Sequence, residues 1–211
     1  MLLISKSPLP NVPLPFKKIE FLGHIVTATT VEPSPDKIQA ILDMAPPKNL
    51  REAQRLAGRV NALGRFISRA GEKCGPFFKA LRKTPAGFEW TKECQEAFDQ
   101  LKTFLTTPPI LSCPQTNEIL RLYLAVSDTA VSSALIREDE GTQRPIYYFS
   151  KILRDAETRY TMIEKLAFAL LLTSRRLRPY FQAHEVVIMT NQPLGQLWAS
   201  LESREDWQNG Q

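Results

Sequence analysis

Two periodicities divide the chain. Leu50, Ala53, Leu56, Ala57, Val60 and Leu63 recur at helical spacing, which predicts a helix with one apolar stripe. Asn49 stands where its N-cap belongs, and Glu52 follows three residues on, the pattern of a capping box. Ahead of it, Ser34-Pro35 reads as an N-cap followed by proline at the first helical position. Ile38, Ile41 and Leu42 give that shorter helix one apolar face, and Pro46-Pro47 ends it. Residues 76–81 predict a further short helix. Thr91 caps another, with Cys94, Ala97, Phe98, Leu101 and Leu105 on its buried side, and Pro108-Pro109 closes this helical stretch. Residues 21–27 are apolar and β-branched and predict one strand. Residues 1–19, with Pro8, Pro10, Pro13 and Pro15, form a loose lead-in.

From residue 120 the period changes to two. Leu120, Leu122, Leu124 and Val126 alternate with Arg121, Tyr123 and Ala125, which predicts a strand. Residues 131–137 and 145–150 predict two more, joined through Asp139-Glu140-Gly141 as a turn. Residues 156–176 carry Ile163, Leu166, Ala167, Leu170 and Leu171 and predict one long helix. Residues 185–190 predict a fourth strand and 192–201 a final helix. The expected class is α+β: a helical subdomain over 20–113, then an α/β domain over 114–201 ordered β-β-β-α-β-α, with the boundary near Pro114 and a tail over 202–211.

Charge sharpens this division. The 211 residues hold 27 Lys and Arg against 22 Asp and Glu, a net charge of +5. Residues 1–110 carry 16 bases and 10 acids, and residues 111–211 carry 11 and 12. Ten of the bases fall between Lys48 and Lys83, against only Glu52 and Glu72. Positive charge concentrated on a small element is the footprint of a polyanion partner, and equally the composition of a solvated helix face. Arg51, Arg55 and Arg59 recur every four residues and share a face apart from the apolar stripe, with Arg65 and Arg69 beyond them. The longest fully apolar run, residues 166–172, is too short to cross a membrane, and the start lacks the long apolar stretch of a signal peptide. Three separated cysteines, Cys74, Cys94 and Cys113, form no zinc spacing and no disulfide framework, which points to a reducing compartment. With two histidines, His24 and His184, the chain is poorly supplied for His-centred chemistry. His24, after Gly23 inside a strand, reads as a packed residue rather than a ligand.

Several segments occur in a recognisable order. Phe21-Leu22-Gly23-His24-Ile25-Val26, Pro35-Asp36-Lys37-Ile38-Gln39-Ala40-Ile41, Phe88-Glu89-Trp90-Thr91 and Ala97-Phe98-Asp99-Gln100-Leu101-Lys102 resemble the segment after the palm of gypsy-type LTR retrotransposon reverse transcriptases. Leu122-Tyr123, Arg144-Pro145-Ile146-Tyr147-Tyr148, Ala156-Glu157-Thr158-Arg159-Tyr160, Glu164-Lys165 and Arg178-Pro179-Tyr180 resemble the RNase H-like domain that follows there. Leu-Tyr-Leu-Ala-Val-Ser, with Arg-Leu-Arg-Pro-Tyr-Phe-Gln-Ala-His, looks most like the plant Tat-type lineage. Coverage runs from about residue 17 to 200. The resemblance implies a thumb or connection half joined to an RNase H-like half that stops before that fold's last strand and helix. The polymerase palm is expected upstream, and an RNase H or integrase downstream, within a polyprotein that works inside the cell, in cytoplasm or nucleus.

RNase H cleavage uses carboxylates that hold two divalent ions roughly 4 Å apart, and Mg²⁺ takes oxygen ligands. The family's first aspartate, in Thr-Asp-Ala-Ser, corresponds to Ala125. Its glutamate after Glu-Lys corresponds to Leu166, and its aspartate after Thr on the fourth strand to Asn191. All three positions lack the carboxylate, and neither Asp128 nor Glu164 has the spacing to replace one. The expectation is therefore no catalytic residue, no metal site and no cofactor in this chain, in place of the Mg²⁺ of the active family. The thumb resemblance assigns Arg51, Arg55, Arg59, Arg65 and Arg69 to the backbone of an RNA–DNA hybrid or template–primer duplex, with the RNase H-like half acting as a structural connection and no membrane partner. An active hybrid ribonuclease and a host-recruited interaction module stand as the alternatives.

Overall fold

The computed structural model describes residues 18–21, 23–81 and 87–190. The first half is not purely helical. It opens on a small antiparallel sheet of β1 (Ile19–Phe21), β2 (His24–Val26) and β3 (Thr30–Pro33), joined at its far edge by β4 (Leu111–Ser112). The single strand expected over 21–27 is a hairpin instead. Gly23 takes φ +71°, a left-handed value glycine reaches at no steric cost, and the chain doubles back there so that Phe21 pairs with His24. A second turn follows, where the Thr27 hydroxyl accepts from the Thr30 N–H at 2.9 Å.

The helices are α1 (Pro35–Leu42), α2 (Leu50–Ala62), α3 (Ala70–Lys73), α4 (Gly75–Ala80) and α5 (Lys92–Leu105). Asn49 Oδ1 accepts from Glu52 N at 2.9 Å, and Glu52 in return accepts from Lys48 N, a cap of about 1 kcal/mol. Thr91 caps α5 through Cys94 N. Ser34 departs from its expected role: its hydroxyl donates to Glu20 at 2.9 Å, tying the start of α1 to β1. Leu56, Val60, Phe66, Phe77, Phe98, Leu101 and Leu111 make one core among these elements.

The second half is built on a mixed sheet in the order β7-β6-β5-β8. Here β5 (Leu120–Val126), β6 (Ala130–Asp139) and β7 (Thr142–Ile152) form an antiparallel meander, and β8 (Val186–Met189) lies parallel to β5. Glu140 and Gly141 both have positive φ in the two-residue β6–β7 turn, as the twist of a tight hairpin requires. The helix expected over 156–176 is broken. A 3-10 turn at Asp155–Arg159 precedes extended Tyr160, and α6 (Met162–Arg176) starts afresh from Thr161. Thr161 and Glu164 form a capping box, a stop and start signal buried inside an otherwise continuous apolar pattern. A short α7 (Arg178–Ala183) returns the chain to β8. The helix expected over 192–201 and the tail lie outside the described residues.

The two halves share an interface. Gly71 N on α3 donates to Ser150 Oγ on β7 at 3.0 Å, and Tyr148 packs against the core of the first half. A Cβ at position 71 would stand 2.8 Å from Ser150 Oγ and 3.3 Å from Ala130 Cβ, so a side chain there would push that hydroxyl aside and break the contact. Across the chain junction, Arg137 on β6 donates to Glu118 at 2.9 Å and reaches Ser112 on β4 at 3.4 Å. Pro114 sits between these anchored segments.

Candidate nucleic-acid interface and the carboxylate positions

On β5, Leu124 and Val126 pack against Phe168, Ala169 and Leu172 of α6. Side chains alternate along a strand, so Ala125 lies on the opposite face. It pairs with Ser132, which pairs with Ser150. The two serine hydroxyls are 3.1 Å apart, and Ser150 is the one that meets Gly71. Position 125, where the resemblance leads one to expect a carboxylate, thus holds a methyl group in a serine row that abuts the first half. Leu166 is 2% exposed on α6 and lies in the hydrophobic interior. Asn191 falls outside the described residues.

The two nearby acids are spent elsewhere. Glu164 accepts from the Thr161 backbone N–H at 2.7 Å and from its hydroxyl, and those bonds hold its carboxyl below the usual range. Asp128 is fully exposed in the β5–β6 turn, with Oδ1 3.9 Å from the Lys165 ammonium. Lys165 itself is buried, which puts a fixed cation beside the ends of β5 and α6. Among the described residues, no three His, Cys, Asp or Glu side chains gather as a metal site. A methyl, a buried leucine and an ammonium do not fit a two-ion centre.

The arginines expected to form one row separate into four environments. Arg51 and Arg55 are exposed on α2. Arg59 turns inward and donates to the Ala40 carbonyl at the end of α1. Helix α2 stops at Ala62, so the later two follow a different path. Arg65 lies in a 3-10 turn with its guanidinium 4.8 Å over the Tyr147 ring. Arg69 is exposed at φ +53° and pairs with Glu72. The structure therefore leaves Arg51 and Arg55 as the exposed pair on α2, makes Arg59 a helix-to-helix tie, and brings Arg65 to the second half. Periodicity alone could not reveal Tyr147 or Ala40 as partners.

His24 packs against Phe66, with ring centroids 5.4 Å apart; burial, together with the charges of Arg65 and Lys37, holds its pKa below the ordinary value. The three cysteines are free thiols. Burial pushes Cys74 up to about 12, so it stays protonated. No helix among the described residues is long and apolar enough to cross a membrane.

Residues 90–188 match the family described as the RNase H-like domain found in reverse transcriptase. Over 189 residues the chain is 30% identical to the retrovirus-related Pol polyprotein from transposon opus of Drosophila melanogaster, covering 84% of this chain and 19% of that protein. Transposon 297 of the same organism is 29% identical, and the Tf2-3 polyprotein of Schizosaccharomyces pombe 25%, with 84% and 79% of this chain covered. The chain spans less than a fifth of each of these polyproteins. The fold resembles foamy viral protease-reverse transcriptase in complex with RNA/DNA hybrid, with TM-score 0.68 and 20% identity over 82% of this chain and 23% of that one. The same viral protein in complex with dsDNA gives TM-score 0.66 and 21% identity over 87% and 39%.

Proposed function

We propose that this chain, a homologue of retrotransposon Pol polyproteins that carries a reverse-transcriptase RNase H-like region, binds the backbone of an RNA–DNA hybrid or template–primer duplex and cuts neither strand. The RNase H-like half serves as a structural connection between polymerase and downstream domains of the polyprotein, in an element of the gypsy-type, plant Tat-type lineage. The sequence features that favour this lineage are the Leu122-Tyr123-Leu124-Ala125-Val126-Ser127 run and the Arg176-to-His184 segment.

The observation that carries the reading is position 125. Two-ion hydrolysis needs anionic oxygen where the metals sit, and here the neighbours of the Ala125 methyl are Ser132 and Ser150, fastened to α3. What remains for nucleic acid is positive charge. Arg51 and Arg55 stand one helical turn apart on an exposed face, a spacing suited to phosphates and blind to sequence. Each phosphate they neutralise adds about 0.9 to the slope of log affinity against log salt on a duplex.

The test is a hybrid titration at two salt concentrations, with and without Mg²⁺. Binding falls with salt, no cleavage appears, and Arg51→Glu with Arg55→Glu lowers the slope by roughly 1 to 2. Cleavage that Asp128→Ala abolishes would refute the inactive reading, and a salt-independent affinity would refute the phosphate contacts.

A further inference from the structure

The two halves meet along a cleft of about 1020 Å³. One wall comes from α2 to α4, and the other from the end of β7, the loop after it and the end of α6. Five cations line it against two acids. Lys151 is held by Glu157, a pair that leaves both charges locally satisfied. That leaves Arg65, Lys79, Arg154 and Arg176 facing Asp155. Two of these cations converge on one aromatic ring, since Arg65 lies over the Tyr147 face and Arg176 Nε donates to the Tyr147 hydroxyl at 3.3 Å. Tyr148 and Phe78 line the same space.

We infer that this cleft is a second nucleic-acid site, one that holds an unpaired strand. Three features select that ligand. The volume is that of a pocket for a single large ligand, room for a few nucleotides of one strand. The excess positive charge is distributed over both walls, so it can follow a phosphodiester chain rather than bind one isolated anion. The guanidinium of Arg65, backed by the Tyr147 ring, presents a flat cationic surface on which any base can stack, the combination that sequence-tolerant single-strand sites use. The site is separate from Arg51 and Arg55, since neither lines the cleft. It also exists only because the halves are docked, with the Gly71–Ser150 contact at its floor.

The inference rests on the reading that the chain handles nucleic acid, and the test keeps the two apart. The full chain is titrated with a fluorescent oligothymidine and, separately, with an RNA–DNA hybrid of equal length. Lys79→Glu with Arg154→Glu should weaken oligothymidine binding at least tenfold and lower its salt slope by roughly 0.7 for each phosphate that is no longer neutralised, while hybrid affinity stays within twofold. Arg51→Glu with Arg55→Glu should do the reverse. Oligothymidine binding unchanged in the cleft variant, or hybrid binding weakened to the same degree, would overturn the unpaired-strand site. Hybrid binding absent while cleft-dependent oligothymidine binding persists would overturn the duplex reading and leave the cleft site standing. A Tyr147→Leu variant that keeps the charges and still loses oligothymidine affinity supports stacking, and an unchanged affinity there overturns that part of the site.

Discussion

Replacing Glu118 by alanine lowers the unfolding free energy by about 3–5 kcal/mol, the cost of leaving a buried charge without its partner. The partner is Arg137, whose side chain is 9% exposed and whose Nε donates to Glu118 at 2.9 Å. Glu118 does more than balance that charge. Its other oxygen accepts from Gln115 N at 2.8 Å, and its carbonyl lies 3.2 Å from His184 Nδ1, beside β8. Arg137 in turn reaches Ser112 on the first sheet. The carboxylate therefore ties the linker to β6, while the backbone carbonyl that meets His184 survives the substitution, and the measurable result is a lower urea midpoint. Glu138→Ala is the matched control. Glu138 pairs with Arg121 on the same sheet, but both side chains are more than a third exposed, and such pairs contribute at most about 1 kcal/mol. Equal losses in the two variants would mean that the junction carries no special weight.

That junction explains how far the sequence could be read. Alternation and caps are local signals, and they placed α1, α2, α5 and the β5–β6–β7 meander close to where they lie. The misreadings arise where a local pattern meets a distant partner or a competing cap. Residues 21–27 are mostly apolar and show no break in pattern, so periodicity could not locate a hairpin that depends on one positive φ at Gly23. Ala156, Tyr160 and Ile163 keep helical spacing into α6 and so hide the Thr161–Glu164 box. Arg59 obeys the same period as Arg51 and Arg55, yet the Ala40 carbonyl 19 residues away takes it out of the row. The hydrogen bond that fastens the two halves, Gly71 to Ser150, spans 79 residues and leaves no trace in either segment. The serine row around Ala125 was not legible at all, because it depends on strand pairings of Ala125 with Ser132 and of Ser132 with Ser150.

Phe98→Ala is expected to cost about 3–5 kcal/mol, the range for emptying a buried aromatic site. Phe98 is fully buried on α5 and meets Trp90 edge to face, with centroids 6.0 Å apart. The Lys102 ammonium lies 4.7 Å over its ring while donating to the Leu42 and Met44 carbonyls at 2.8 and 2.7 Å. Those carbonyls lie at and just past the end of α1, so Lys102 closes that helix in the manner of a C-terminal cation. Removing the ring thus opens a cavity and also loosens the side chain that joins α5 to α1. Leu171→Ala, at a position 44% exposed on α6, should stay within about 0.5 kcal/mol. Phe98 and Trp90 both belong to the segments that carry the family resemblance, and the full burial of Phe98 gives that position a packing role. The two roles separate in one measurement. In Phe98→Ala, hybrid affinity corrected for the folded fraction stays at the parent value while the urea midpoint drops. In Arg51→Glu with Arg55→Glu the midpoint holds and the affinity drops. A loss of affinity in the folded Phe98→Ala protein would instead place α5 within the nucleic-acid surface.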